Sequence, residues 1–257
     1  MKPYLTHEHP LRFAHRGSRV LWPQNTIEAF QGATDLGYIH MESDVHVTAD
    51  GVVVLFHDRV LDELTNGTGE VSEWRFEDLK LLDASYRFKP EEDHPWRGKG
   101  VRIPTLEEAV ATFPNALWNL DMKVVEVVEP LASEVERLGL HDRVLAASFH
   151  GDRIKRFRRL TGGRVATSAG PLEIAKALAR SRLGRVPKDG ADAYQVPQGR
   201  IPNARFVAAA HAAAKQVHVW TVDEAADMNR LLDEGVDGIM TDRPDVLNEV
   251  LASRAGS

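Results

Sequence analysis

Several side chains able to transfer protons follow short apolar runs of the sequence. His15 ends the run Arg12–His15, and His57 comes directly after the letters VVVLF. Because an imidazole changes charge near neutral pH, two histidines can serve as base and acid in one reaction. A single histidine is more often structural. The position of these two at the ends of apolar runs makes them candidate catalytic residues.

Carboxylates occupy comparable positions in the chain. Glu42 and Asp44 are two residues apart in a predicted strand, and Asp121 and Lys123 are related in the same way, so each pair shares one strand face. Carboxylates that point together into a sheet repel each other and are costly to bury unpaired. A hard divalent cation such as Mg²⁺ or Ca²⁺, or salt bridges to arginine or lysine, relieves this repulsion. The residues alone leave both arrangements open.

Cations beside these groups indicate an anionic ligand. Arg16 and Lys123 follow their strands next to the histidines and carboxylates, and a guanidinium group can hold two phosphate oxygens. Positive charge, a metal ion and two imidazoles together fit phosphodiester cleavage. Trp220 is predicted either as an apolar wall of this pocket or as ordinary barrel packing. The basic run at 153–159 is predicted mainly as a solvated helix face, with an acidic partner as the alternative.

Strands and helices alternate along the chain and position these residues. Counting Arg12–His15 first gives about eight strand–helix units, and alternating units form a parallel sheet. Eight such units in roughly 250 residues predict an α/β fold, the (β/α)₈ TIM barrel, whose chemistry lies at the carboxyl ends of the strands. An open, doubly wound sheet is the competing architecture. Residues 59–102 interrupt the rhythm and are predicted as a small insertion in a single domain covering 1–257.

Composition excludes several classes of protein. The 257 residues carry a net charge of −6, which makes a poor general binder of nucleic acid, although a local basic pocket is compatible with it. With no cysteines, disulfide scaffolds, thiolate zinc sites and cysteine nucleophiles are excluded. No run approaches the roughly 20 apolar residues of a membrane helix, and no signal peptide precedes the first strand. We therefore expect a cytoplasmic protein without nucleic acid or stable membrane insertion, and the sequence does not indicate an oligomeric state.

The motifs together resemble the glycerophosphodiester phosphodiesterase family. Any one of them is weak, but HRG, ExDV, HD and a carboxylate-x-Lys strand in this order are specific. The similarity spans nearly the whole chain. The matching segments are AHRG at 14–17, PQNTIEAF at 23–30, MESDVHVTADG at 41–51, FHD at 56–58, RIPTLEEA at 102–109, NLDMK at 119–123, SF at 148–149, VHVWTVD at 217–223 and GVDGIMTDRP at 235–244.

The resemblance implies a TIM-barrel hydrolase of lipid metabolism that cleaves glycerophosphodiesters into glycerol 3-phosphate and an alcohol. A small-molecule diester is the implied partner, and a divalent ion, Mg²⁺ or Ca²⁺, is the implied cofactor. The residue roles that follow are acid–base catalysis by His15 and His57, metal binding by Glu42, Asp44 and Asp121, and substrate binding by Arg16, Lys123 and, as the apolar wall, Trp220.

Three positions depart from the family pattern. Gln24 stands where the family usually has Glu, and we expect its amide to keep a hydrogen bond. Asp121 replaces the usual Glu, so a shorter side chain is expected to change the metal preference. Asp223 replaces the usual Asn and adds a carboxylate near the predicted apolar wall.

Two other functions compete with this interpretation. One is a lipid-directed phosphodiesterase of the lysophospholipase D or sphingomyelinase D type, in which Trp220 and the aromatic insertion hold an acyl chain. The other is a catalytically silent phosphate-binding protein, against which the intact pair His15 and His57 argues.

Overall fold

A computed structural model of the protein describes residues 1–89, 92–198 and 203–256. Its strands are β1 (Leu11–His15), β2 (His40–Val47), β3 (Val53–Leu55), β4 (Leu117–Met122), β5 (Val144–Ala147), β6 (Ala166–Thr167), β7 (Ala193–Pro197), β8 (Gln216–Trp220) and β9 (Gly238–Thr241). Its α-helices are α1 (Ile27–Asp35), α2 (Phe76–Leu79), α3 (Leu106–Thr112), α4 (Val128–Arg137), α5 (Gly151–Leu160), α6 (Pro171–Ser181), α7 (Ala204–His211), α8 (Ala225–Asp233) and α9 (Pro244–Ala255).

The parallel strands form one curved sheet in the order β6-β5-β4-β2-β1-β9-β8-β7. Its two ends meet at a bridge between Ser168 and Ala193, so the barrel is nearly closed. The predicted TIM barrel is confirmed, and the open doubly wound sheet is wrong. The sequence favours the apolar run at 52–56 as an extension of the second strand–helix unit. In the structure this run contains the separate strand β3, which pairs antiparallel to β2 outside the barrel path.

Alternation along the strands decides which side chains face the barrel interior. Met41, Val45 and Trp118 belong to the large buried cluster that also contains residues of the surrounding helices. The intervening residues Glu42 and Asp44 must therefore point inward. Burying the side chains that face the helices stabilises the barrel by roughly 25 cal/mol per Å² of apolar surface. Because side chains alternate along a strand, the same burial fixes the inward direction of Glu42 and Asp44.

The sequence also predicts the caps of two helices, Asn25 or Thr26 before α1 and a capping box of Thr105 and Glu108 before α3. Thr26 caps α1 by accepting a hydrogen bond from the N–H of Ala29 at 3.2 Å. Thr105 and Glu108 form the predicted reciprocal capping box of α3, with distances of 3.0 and 2.9 Å. Such a cap contributes about 1 kcal/mol, so these helices start where the sequence indicates.

The segment between β3 and α3 contains an apolar cluster distinct from the barrel core. Its regular elements are short 3₁₀ turns at Leu61–Glu63 and Val71–Glu73 and helix α2. The sequence predicts a short helix near Phe76–Leu82, and α2 ends earlier, at Leu79. Residues 90 and 91 of the predicted insertion lie outside the described residues. The cluster consists of Val54, Phe56, Leu61, Val71, Leu79, Ala84, Val101 and Ile103. Across the described ranges, no helix is long and apolar enough to cross a bilayer.

Near the amino-terminal ends of the barrel strands, two imidazoles are buried among apolar side chains. Tyr4 and Leu5 of the N-terminal segment pack there with Phe13. His40 contacts Tyr4 edge-on, with ring centroids 5.7 Å apart, and His218 lies 4.9 Å from the Phe13 ring. Burial lowers the pKa of both His40 and His218 to about 3, so both rings are neutral in the folded protein.

We expect the free energy of unfolding to fall as the pH drops below the ordinary histidine pKa of 6.5. His40 and His218 stay neutral when folded but take up protons in the unfolded chain, so their contribution is fully present above that pH. Below it, each histidine costs about 1.4 kcal/mol of stability per pH unit until its folded pKa is reached.

Urea unfolding of the parent and of His40→Leu, at neutral pH and at about pH 5, measures this loss. Below the ordinary histidine pKa, the free energy of unfolding of the variant should fall by about 1.4 kcal/mol per pH unit less than that of the parent, because one buried histidine has been removed. His150→Leu, at an exposed histidine, is the matched control and should follow the parent. Equal slopes for the parent and His40→Leu would show that burial does not hold this ring neutral.

Candidate active site

A pocket of about 430 Å³ opens at the carboxyl ends of the barrel strands. Strand register explains why the predicted residues meet there, since Asp44 is paired with Asp121 and His15 with Glu42 in adjacent strands. The roles of the lining residues remain predictions. All the predicted catalytic, metal-binding and substrate-binding residues line the pocket, namely His15, Arg16, Glu42, Asp44, His57, Asp121, Lys123 and Trp220.

The turn after β1 places Arg16 through an unusual backbone conformation. Arg16, Gly17 and Ser18 have φ angles of 54°, 78° and 98°. A side chain at Gly17 would bring its Cβ to 2.6 Å from that of Ala29, so the turn requires glycine. The N–H of Arg16 donates to the backbone oxygen of Glu42 at 2.9 Å and to its Oε2 at 3.1 Å. These bonds tie the turn to β2.

His15 lies between two carboxylates. Its Nδ1 is 2.8 Å from Oδ1 of the fully buried Asp242, and its Nε2 is 3.8 Å from Oε2 of Glu42. Burial alone lowers the pKa of His15, but Glu42 and Asp242 outweigh burial and raise the pKa above its ordinary value. Because an ionised carboxylate only accepts, Nδ1 carries a proton, and Nε2 is left to exchange protons in the pocket. Arg19 donates to the other oxygen of Asp242 at 2.6 Å.

His57 also has a carboxylate partner. Its Nδ1 is 2.7 Å from Oδ1 of Asp58, and its side chain is 29% exposed. The hydrogen bond with His57 is the main reason that the pKa of Asp58 is lowered. Both candidate catalytic imidazoles are therefore oriented by carboxylates at their Nδ1 atoms.

Asp44 is paired on both of its oxygens. Lys123 Nζ lies 2.9 Å from Oδ1, and Asn25 Nδ2 donates to Oδ2 at 3.1 Å. Arg16 Nε is 3.0 Å from Oδ2, although without the direction of a hydrogen bond. Burial raises the pKa of Asp44, but Lys123 and Arg16 outweigh burial and hold its pKa at about 2. Asp44 is therefore ionised.

Lys123 bridges two carboxylates. Its Nζ is 2.8 Å from Oδ2 of Asp121, in addition to its contact with Asp44. Burial lowers the pKa of Lys123, but the two carboxylates outweigh burial and raise it, so the side chain is an ammonium. The salt-bridged arrangement that the sequence left open is thus present at Asp44 and Asp121. The predicted contact between Lys123 and phosphate stays a prediction.

Asp121 and Glu42 each have carboxylate oxygens that no lysine or arginine of the described chain neutralises. Oδ1 of Asp121 is buried and has no hydrogen-bond partner among the described residues, and burial raises the pKa of Asp121. Glu42 is buried beside the N–H of Arg16 and the imidazole of His15, without a lysine or arginine salt bridge of its own in the described chain. Burial and the charge of Asp44 raise the pKa of Glu42 to about 7.

The three predicted metal ligands share the pocket but do not form a preformed cluster. Within residues 1–89, 92–198 and 203–256, no group of three His, Cys, Asp or Glu side chains is placed to hold a metal ion. Lys123 instead lies against both Asp44 and Asp121. The donor chemistry nevertheless fits a hard divalent ion, since carboxylates line the pocket from adjacent strands and one buried oxygen of Asp121 is unpartnered.

Two of the departures from the family pattern have clear structural outcomes. Gln24 Oε1 accepts a hydrogen bond from Arg16 Nη1 at 2.7 Å, as expected. Asp223 does not line the pocket; its Oδ1 accepts from Thr241 Oγ1 at 3.1 Å and from the N–H of Asp242 at 2.8 Å. The carboxylate of Asp223 thus holds the turn that carries Asp242, and its effect on the apolar wall stays a prediction.

The other half of the pocket is apolar. Trp220 meets Phe149 edge-on, with ring centroids 5.4 Å apart. It also packs against the buried cluster that contains Tyr4, Leu5 and Phe13. Trp220 thus combines the two roles that the sequence left open. Loops, helix α6 and the end of β7 supply the aliphatic part of this wall, which consists of Ala169, Pro171, Ile174, Ala175, Leu178, Val196 and Pro197.

The residues that orient the two histidines and Asp44 were not predicted from the sequence. Asp242 and Asp58 hold the two histidines, and Asn25 links Asp44 to Ser43 Oγ, which donates to it at 2.7 Å. The positional rule that singles out His15 also applies to Asp242, which directly follows β9. No local pattern shows that two residues so far apart in sequence form a pair.

Comparisons with known proteins agree on one family. The sequence model of the glycerophosphoryl diester phosphodiesterase family matches residues 15–246. A Mycobacterium tuberculosis protein named "Probable glycerophosphodiester phosphodiesterase 2" is 37% identical over 262 residues, covering 98% of this chain and 94% of that protein.

Solved structures show the same barrel. The glycerophosphoryl diester phosphodiesterase domain of another M. tuberculosis protein superimposes with a TM-score of 0.85 at 23% identity, covering 96% of this chain and 100% of that one. A phosphodiesterase of Oleispira antarctica, solved with its product sn-glycerol 3-phosphate, superimposes with a TM-score of 0.77 at 24% identity, covering 95% and 97%.

Proposed function

The chain belongs to the glycerophosphoryl diester phosphodiesterase family, and from this premise we propose that it hydrolyses glycerophosphodiesters to glycerol 3-phosphate and an alcohol with His15, His57 and a divalent cation. The observation that carries the proposal is one pocket in which two carboxylate-oriented imidazoles stand beside buried carboxylates and cations. The catalytic assignments rest on this geometry and on the family resemblance.

The proposed reaction has two proton-coupled steps. The free hydroxyl of the glycerol next to the phosphate attacks phosphorus, and the bond from phosphorus to the leaving alcohol oxygen breaks. One imidazole takes the hydroxyl proton and the other gives a proton to the leaving oxygen. Water then opens the cyclic phosphate with the two imidazoles in exchanged roles. Nε2 of His15 is the exchanging atom there, because Asp242 fixes the proton on Nδ1.

Charge in the pocket has distinct tasks in this proposal. Glu42, Asp44 and Asp121 would hold the cation, which when bound supplies electrostatic stabilisation for the phosphate oxygens. Arg16 presents its guanidinium at the pocket, with Nη1 held by Gln24, and binds phosphate. Lys123 keeps Asp44 ionised and adds positive charge beside the phosphate.

Release of glycerol 3-phosphate from glycerophosphocholine tests the proposed function. Purified protein is assayed with and without a chelator, and then with Mg²⁺ or Ca²⁺ added back. We expect turnover that stops on chelation and returns with metal. Binding of glycerol 3-phosphate without turnover, across both metals, would instead favour the silent binding protein.

A second candidate function is favoured by the aliphatic wall of the pocket. Ile174 and Leu178 of α6 face the same cavity as the polar site, and such a surface suits an acyl chain better than a small polar alcohol. A lysophospholipid and its deacylated head group are compared as substrates under equal conditions. A strong preference for the acylated compound would replace glycerophosphodiesters by lysolipids as the substrate class.

We expect Asp242→Asn to lower kcat by about 10–100-fold while KM stays nearly unchanged. The substitution keeps the size of the side chain but removes the charge that fixes the Nδ1 proton of His15. Steady-state kinetics on glycerophosphocholine measures the effect. Asp245→Asn, whose parent side chain pairs with Arg243 on the surface, is the control and should behave like the parent. A change confined to KM would show that Asp242 does not act through His15.

A further inference from the structure

A groove beside the catalytic pocket is not used by the proposed reaction. Side chains of α5 and α6 line it, and Phe149 and Pro171 line both the groove and the pocket. The groove therefore reaches the pocket mouth on its apolar side. It also contains much of the basic run at 153–159, which the sequence predicts mainly as a solvated helix face, with an acidic partner as the alternative.

Cations dominate the groove. Lys155 pairs with the exposed Asp152 at 3.3 Å, and Arg156 pairs with Glu129. Within the described parts of the chain, the other four cations have no carboxylate partner, and the side-chain bonds of Arg153 go to backbone oxygens. The full set of lining cations is Arg153, Lys155, Arg156, Arg159, Lys176 and Lys188.

The remaining acidic residues of the groove are neutralised from behind it. Glu173 lies 3.0 Å from Arg158, and Asp189 lies 2.5 Å from Lys215, and neither of these two cations lines the groove. The groove thus carries a positive charge on a chain whose net charge is −6. This local excess gives the groove a preference for anionic partners.

Exposed apolar side chains stand among these cations. Phe149, Leu172 and Val125 are 58%, 65% and 44% exposed, and all three line the groove. A nucleic acid would pair with the cations but offers no apolar phase for the aliphatic side chains of Leu172 and Val125. Cations together with protruding apolar groups are typical of surfaces that sit at the boundary between lipid head groups and acyl chains.

We propose that this groove docks the protein on an anionic lipid surface. Arg159, Lys176 and Lys188 lie at the level of the lipid phosphates, and Phe149 and Leu172 enter the acyl boundary. Docking of this kind brings the pocket mouth, through Phe149, against the surface from which phospholipid-derived diesters arise. This role goes beyond hydrolysis and does not require turnover.

Sedimentation with vesicles tests the docking surface directly. We expect the parent protein to bind vesicles of phosphatidylglycerol and phosphatidylcholine in equal amounts, to bind pure phosphatidylcholine poorly, and to lose binding as salt is raised. Removing one cation from such a surface weakens binding about fivefold, so Arg159→Glu with Lys176→Glu should weaken it by at least about 25-fold. Leu172→Asp should weaken binding as well.

Controls separate docking from folding and from catalysis. Arg254→Glu reverses a charge on α9, where Arg254 pairs with Asp233, and should bind vesicles like the parent. All variants should hydrolyse soluble glycerophosphocholine at the parent rate, because none of these residues lines the catalytic pocket. Failure of the parent to bind anionic vesicles, or equal losses in Arg254→Glu, overturns the proposal. If the protein binds both heparin and vesicles, and Leu172→Asp weakens neither interaction, the groove is a site for soluble polyanions instead.

Discussion

Replacing His15 by asparagine should lower kcat for glycerophosphocholine by about 10²–10⁴-fold, the usual contribution of one general acid or base. The asparagine amide can still donate to Asp242, as Nδ1 of His15 does at 2.8 Å, so the packing of this buried position is retained. The atom that is lost is Nε2, which faces Glu42 and the pocket. Stopped assays of glycerol 3-phosphate release measure the loss.

His141→Asn serves as the matched control, since His141 is a histidine paired with Glu136 away from the pocket. The control should retain parent kinetics, and thermal unfolding should show both variants folded. If His15→Asn keeps more than a tenth of the parent kcat while the protein is saturated with metal and substrate, His15 is not part of the proton transfer.

Replacing Asp121 by asparagine should lower kcat/KM by more than about 100-fold and weaken binding of the divalent cation by a similar factor. Loss of an outer partner of a ligand already costs about 10–100-fold in metal affinity, and a proposed direct ligand is expected to cost more. Oδ1 of Asp121 is the buried oxygen without a partner, whereas Oδ2 meets Lys123. Calorimetric titration with Mg²⁺ and with Ca²⁺ measures the affinity.

Asp121→Glu is the matched comparison for this prediction. It keeps the charge and restores the residue usual at this position, so it should bind metal and turn over substrate, with a changed ratio of Mg²⁺ to Ca²⁺ activity. If Asp121→Asn binds the cation as tightly as the parent, Asp121 is a partner of Lys123 alone.

Much of the site follows from strand periodicity. The two-residue spacing of Glu42 and Asp44 places both on one face, and Met41 and Val45 pack outward against helices. The end of each apolar run marks the pocket edge, which is why His15 and Asp121 are found from the sequence. These inferences are local, because they need only the period of a strand and the rule that parallel strands end at one edge.

The partners of these residues could not be predicted in the same way. Asp242 meets His15 only because β9 pairs with β1 in the sheet. Lys123 was predicted to meet a phosphate, but the pairing of Asp44 with Asp121 in register puts two carboxylates within reach of its ammonium. Once the two carboxylates are buried, leaving them without a cation would be costly, and their burial is set by the whole barrel.

The proposed mechanism requires that Glu42, Asp44 and Asp121 hold one cation beside His15. Diffraction from crystals grown with Mn²⁺, a hard ion whose anomalous scattering identifies it, tests this claim most directly. We expect a single strong anomalous peak in the pocket, in contact with oxygens of all three carboxylates and removed by chelation together with activity. An active enzyme whose pocket shows no peak, with Lys123 still bound to Asp44 and Asp121, would contradict it.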